Sequence, residues 1–103
     1  MKIFLDDTRD APSSSFCCVS TYEECITLLS LFSNDVEFLD LDYNLGRNAK
    51  YSGLDVLVYM NEHGIQPTHI NIHSSHEHGG PKMVEFSKSH FPNSLITENK
   101  IYK

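Results

Sequence analysis

Short apolar runs that stop abruptly at polar clusters, with amphipathic stretches between them, constrain this chain more than any other feature. "KIFL" runs into Asp6-Asp7, "VEFLDL" into Asp42, and "THINI" into His73-Ser74. Runs this short are the length of buried strands rather than helices. "FCCVS" reads as a further strand, and "SLITENKIYK" as a last strand plus a tail. The stretches between them carry helix signals. In "STYEECITLLSLF", Thr21 stands three residues before Glu24, a reciprocal cap in which each side chain satisfies an N–H of the first turn. Tyr22, Cys25, Ile26, Leu29 and Phe32 then recur at helical spacing. Ser52 and Asp55 frame the start of "LDVLVYMNEH", and Gly64 ends it just past the cap. "GGPKMVEFSKSHF" is the third helix, with Pro81 suited to its first turn. The order β-β-α-β-α-β-α-β predicts an α/β fold with a parallel sheet and helices on its faces. The segment between the first two strands, with Pro12 and three serines, is a loop too short for a good helix.

A chain of 103 residues supports one modest core, so residues 1–103 are read as a single domain. No apolar stretch approaches membrane-spanning length. Asp6 and Asp7 arrive too early for the apolar core of a signal peptide, so a cytoplasmic location is expected. A formal charge of −6 excludes the broad basic surface that nonspecific DNA binding needs. It leaves room for a small nucleotide, or for a nucleic-acid end held through a metal ion. The count of three cysteines is odd and contains no CxxC pair, which favours reduced packing residues over a redox or zinc role.

In an open parallel sheet the carboxyl ends of all strands point one way, and ligands bind in the crevice there. Asp6-Asp7, Asp42-Tyr43-Asn44 and His73-Ser74 therefore converge on one rim. Carboxylates brought together repel, so one takes up a proton or a cation neutralises them. Hard oxygen ligands favour magnesium, manganese or calcium. His73 and Ser74 would then reach a phosphate held beside the ion. Asp40 alternates with Asp42 and faces the same side, as an inward ligand or as a charge paired near the sheet. Asp6 or Asp7 also suits a simple turn cap. His63, His69 and His90 are read as structural. His73, His76 and His78 lie close enough for a zinc site, which competes with a second reading of the same stretch. In that reading Gly79-Gly80 opens a helix whose free N–H groups face an anion, with Lys82 adding charge.

These residues together resemble a known family, the cyclic-phosphate processing receiver domain, a small relative of the response-regulator receiver. The resemblance runs from Met1 to Met83. "LDDTRDAP" is similar to the family's LDD-x-R-x-x-P, with Asp6, Asp7, Arg9 and Pro12 in place. "LDYNLG" is similar to LDHDLG at Leu41, Asp42, Leu45 and Gly46. "SGLDVLVYM" resembles the helix that follows, and "IHSSHEHGGPKM" matches HSxNxxGxxNM at His73, Ser74, Gly79 and Met83. The resemblance implies a receiver-like (flavodoxin-like) five-stranded parallel sheet of order 2-1-3-4-5, with the first crossover helix reduced. It also implies a metal site made by Asp6, Asp7 and Asp42, holding magnesium or manganese, with His73 and Ser74 near a phosphate. Tyr43 stands where the family has His and Asn44 where it has Asp, while His76 and Lys82 occupy family Asn positions. These departures bear on catalysis more than on binding.

The leading expectation is a metal-dependent phosphoesterase acting on a cyclic phosphate of a nucleotide or RNA end. In it His73, Ser74 and His76 do the chemistry, and Arg9, Asn44, Gly79, Gly80 and Lys82 hold the ligand. A non-catalytic cyclic-nucleotide binder, as in defence or counter-defence, is the alternative. A phospho-accepting receiver, with Asp42 phosphorylated and Lys100 as the candidate lysine, is a third.

Overall fold

A computed structural model describes residues 1–98. Five strands, β1 (Lys2–Leu5), β2 (Phe16–Val19), β3 (Phe38–Leu41), β4 (His69–Ile72) and β5 (Leu95–Glu98), form one all-parallel sheet of order β2-β1-β3-β4-β5. Three helices accompany them: α1 (Tyr22–Leu31), α2 (Gly53–Glu62) and α3 (Gly79–His90). The expected topology is therefore the observed one, with β1 central and no helix between β1 and β2. The expected tail after β5, including Lys100, lies outside the described residues.

The crossovers explain where the helices lie. From β2 to β3, β3 to β4 and β4 to β5 the chain always moves in the same direction across the sheet. Right-handed connections then put α1, α2 and α3 on one face. Strand alternation agrees. Ile3, Leu5, Leu39, Leu41, Ile70 and Ile72 share one buried cluster with Cys25 and Leu29 of α1, Val56, Leu57 and Met60 of α2, and Met83 of α3. Burying each such aliphatic side chain contributes about 1.5–3 kcal/mol. The other face carries a different set. Phe4, Asp40, Asn71 and Thr97 lie side by side in register across four strands.

The helix ends follow the sequence signals. Thr21 Oγ1 accepts from Glu24 N at 3.1 Å, and Glu24 Oε1 accepts from Thr21 N at 3.2 Å. Ser52 N donates to Asp55 Oδ2 at 2.8 Å. Gly64 takes φ +67°, and Ile65 N reaches back to Met60 O at 2.9 Å, the bond pattern of a left-handed helix stop. Two details differ from expectation. Phe32 caps α1 instead of joining its apolar face and is 38% exposed. Cys17 and Cys18 are exposed on the edge strand, so only Cys25 is a packing residue. No described helix is long and apolar enough to cross a membrane.

Candidate functional site

The backbone sets the site before any side chain does. The ladder continues one residue past three strands, through Asp6 N to Val19 O at 3.1 Å, Asp42 N to Leu5 O at 3.0 Å and His73 N to Leu41 O at 3.0 Å. Asp6, Asp42 and His73 thus leave the sheet at one level, and all three are buried. Each offers one ligand atom, and these atoms lie within 4.8 Å of one another.

His73 occupies the centre. Its Nδ1 lies 2.5 Å from Asp40 Oδ1 and its Nε2 2.9 Å from Asp6 Oδ2. Its ring stacks on Phe4 at 4.7 Å between centroids. Burial disfavours the charged ring, but hydrogen bonds to Asp40 and Asp6 and the nearby Asp42 charge outweigh it and raise the His73 pKa. For Asp6, burial pulls upward, yet the N–H groups of Arg9 and Thr8 and the His73 ring hold the carboxyl below its ordinary value. Those N–H groups donate to Asp6 Oδ1 at 2.9 and 2.8 Å. Asp42 goes the other way: burial and the Asp6 charge raise it, against the weaker pull of His73, the Tyr43 N–H and Arg9. A buried acid pushed upward by a neighbouring acid is a place where a cation is stabilising.

Arg9 lies over this pair. Its Nη1 is 3.5 Å from Asp6 Oδ2 and 3.8 Å from Asp42 Oδ2, longer than good hydrogen bonds, and it donates to His73 O at 3.3 Å. The donor set of two carboxylates and one imidazole fits a divalent ion, and suits manganese, iron or zinc better than magnesium, which prefers oxygen alone. Asp7, expected in the metal site, is not part of this group. It is exposed and faces Gly46. The third member of the candidate group is the His73 ring.

A cleft of about 380 Å³ opens above, lined by Asp7, Thr8, Arg9, Asp42, Asn44, Gly46, Arg47, Ser74, Ser75 and His76. Its wall differs from expectation in four ways. His73 is 1% exposed and lies beneath the cleft rather than on its wall. The first N–H groups of α3, expected to face an anion, are engaged: Gly79 N donates to His76 Nδ1 at 2.7 Å and Gly80 N to His76 O at 3.2 Å. Gly79 is small for a packing reason, while Gly80 has room for a side-chain carbon. A Cβ on Gly79 would meet the Tyr43 ring at 2.2 Å, and one on Gly80 would touch Ser74. Lys82 lies elsewhere, in a groove with Leu54, Glu85 and Phe86.

His76 and His78 are not part of the candidate ion group among the described residues, so the zinc reading finds no geometry there. His76 caps α3 instead, its Nδ1 also accepting from His78 N at 3.3 Å. His63 and His90 each place Nδ1 against a carbonyl one turn back, Tyr59 O and Phe86 O. Residue-by-residue reading missed Arg47, Thr8 and Ser75. They sit in polar loops, where neither apolar periodicity nor a strand end draws attention to them.

Searches of curated proteins and of solved structures gave no match. A family model does match, that of the cyclic-phosphate processing receiver domain, over residues 1–89. With the five-stranded parallel sheet and the acidic rim both in place, the chain belongs to the cyclic-phosphate processing receiver domain family.

Proposed function

We propose that this domain binds the cyclic phosphate of a nucleotide or RNA end in the cleft and opens the ring by hydrolysis, with a divalent ion at Asp6, Asp42 and His73. The convergence of those three ligand atoms within 4.8 Å, beneath a cleft lined by Arg9 and Arg47, carries the reading. When bound, the ion supplies charge neutralisation at the phosphoryl oxygens and lowers the pKa of a bound water. Arg9 and Arg47 supply the remaining positive charge toward the phosphate. Water adds to phosphorus, one ring P–O bond breaks, and the leaving alkoxide takes up a proton. His76 is the donor of choice. Its Nδ1 accepts the helix N–H groups, so in the neutral ring the proton is on Nε2. Ser74 Oγ accepts from His76 N at 3.0 Å and holds that loop. Asn44 Oδ1 accepts from Gly46 N at 3.1 Å and shapes the opposite wall.

A binder without turnover is the second reading. It is favoured by Tyr43, whose ring is packed over Gly79 and tilted against His76 at 4.6 Å instead of offering a second imidazole. One measurement separates the two. The protein with Mn²⁺ is mixed with 2′,3′-cyclic nucleotides and followed by phosphorus NMR after metal removal. Conversion of the cyclic resonance to a monoester, lost in Asp42→Asn, is expected. Stoichiometric return of intact ligand establishes the binder. Phosphorylation of Asp42 by an acyl-phosphate donor, seen as a mass increase, would instead make the domain a receiver.

A further inference from the structure

We propose that Asp40 is the positioning residue of the site, fixing the His73 ring so that Nε2 is the nitrogen turned toward Asp6 and Asp42. The inference rests on the reading of that trio as a metal site and extends it to a residue that does not line the cleft. Asp40 is 0% exposed and is not among the residues that line the cleft. Its Oδ1 lies 2.5 Å from His73 Nδ1 and accepts from Asn71 Nδ2 at 3.0 Å.

The network has one consistent direction. Asn71 donates its amide to Asp40, so its Oδ1 is left to accept, and it accepts from Thr97 Oγ1 at 2.7 Å. With the Thr97 proton used in that bond, His69 Nε2 at 2.6 Å donates into Thr97 Oγ1. From β5 through β4 to β3, each of these donors points along the row toward Asp40. Asp40 Oδ1, already accepting from Asn71 Nδ2, faces His73 Nδ1, and the direction of the row makes that nitrogen the donor. Phe4 stacked on the ring fixes its plane, and Asp40 fixes which way round the ring lies in that plane. A histidine that binds a metal through one nitrogen has the other held in this manner by a carboxylate, which sets the tautomer.

Register makes the arrangement a property of the sheet. Asp40 pairs with Asn71 and Asn71 with Thr97 across neighbouring strands, so the three side chains leave the same face in one row. Asp42 and His73 follow two residues beyond Asp40 and Asn71 on that face.

The test is Asp40→Asn in the full chain. The replacement keeps size and one acceptor oxygen but offers His73 an amide that can donate to Nδ1 and reverse the tautomer. Two readouts are taken: Mn²⁺ affinity by calorimetry, and the His73 tautomer by ¹⁵N imidazole NMR on metal-free protein at a pH above the His73 titration, where the ring is neutral. The expected result is about 10–100-fold weaker Mn²⁺ binding, the usual effect of losing such a partner, with Nδ1 losing its proton. Unchanged Mn²⁺ affinity and an unchanged tautomer overturn the proposal. If wild-type protein binds no Mn²⁺, the metal reading fails, and the tautomer readout alone decides the role of Asp40. If Asp40→Asn does not fold, Thr97→Val takes its place. It removes the donor to Asn71 and leaves Asp40 intact, and it should shift the His73 Nδ1 proton resonance and weaken Mn²⁺ binding less, in the same direction. No shift there overturns the proposal.

Discussion

His73 holds two carboxylates apart and together at once, so its charge is part of the fold. Because its pKa is raised, its contribution is fully present below its ordinary value of 6.5 and is lost as pH rises through the folded value. Asp6, lowered, contributes above its ordinary 3.8 and loses that contribution as pH falls. Asp42, raised, opposes Asp6, since its ionisation costs stability as pH rises. Metal-free protein should therefore be most stable in weak acid, and thermal melts should show a decline that sets in above about pH 6.5, the ordinary imidazole value, and ends once folded His73, whose pKa is raised, has given up its proton. In His73→Ala the alkaline decline should vanish. That variant should also lose about 3–5 kcal/mol, the effect of leaving buried carboxylates without their partner. A melt series in which wild type and His73→Ala run parallel from pH 6 to 9 would remove His73 as the source. The sequence marks Asp6, Asp42 and His73 through their places after apolar runs. It is less informative about which way each side chain turns. Asp7 and Asp6 are adjacent and chemically alike, and only the turn closed by the Thr8 and Arg9 N–H groups on Asp6 separates the buried acid from the exposed one.

Elements position the site through small residues as much as through charged ones. Gly53 begins α2 against the end of β3, where a Cβ would lie 2.0 Å from Asp42 O, a backbone atom that cannot swing aside. Gly53 N also donates to Tyr43 O at 3.0 Å, tying helix to strand end. Gly53→Ala should displace the Asp42 carbonyl. Overpacking of this kind costs about 1–3 kcal/mol, and Mn²⁺ affinity should fall even at temperatures where the variant is fully folded. Calorimetry on folded Gly53→Ala that returned wild-type affinity would show the helix start and the site to be independent. Helix positions were legible because α1 and α2 carry local signals: Thr21 with Glu24 at the start of α1, Ser52 with Asp55 at the start of α2, and Gly64 after it. The start of α3 was legible in its place, at Gly79, but not in its cap. Its cap is an imidazole, a side chain with no fixed preference for that place, and Gly79-Gly80 in front of a helix suggests an anion site until the His76 ring is seen to fill it.

At the scale of the whole molecule, the order of strands decides what each residue can meet. Three crossovers in one direction put every helix on one face, so apolar residues of β1, β3 and β4 alternate between a helix-covered core and the polar row of Asp40, Asn71 and Thr97. That strand order was implied by the receiver resemblance, and the handedness rule then assigns the helices their face, which is why it could be read before any coordinate. The polar row could not, because it depends on register, and register is a property of pairs of strands. One consequence concerns the thiols. Cys17 and Cys18 sit exposed on edge strand β2, while Cys25 lies at 0% exposure inside α1, where burial pushes its thiol up to about 12. An alkylating reagent should consume two thiols quickly and the third only when the core opens, since modification needs an accessible thiolate. Mass spectrometry over time should show a two-label species that persists, and the slow third label measures how often the whole fold comes apart. Added Mn²⁺ should lengthen that interval if the ion binds the folded chain alone. The chain thus carries its own clock for opening, readable without any introduced probe.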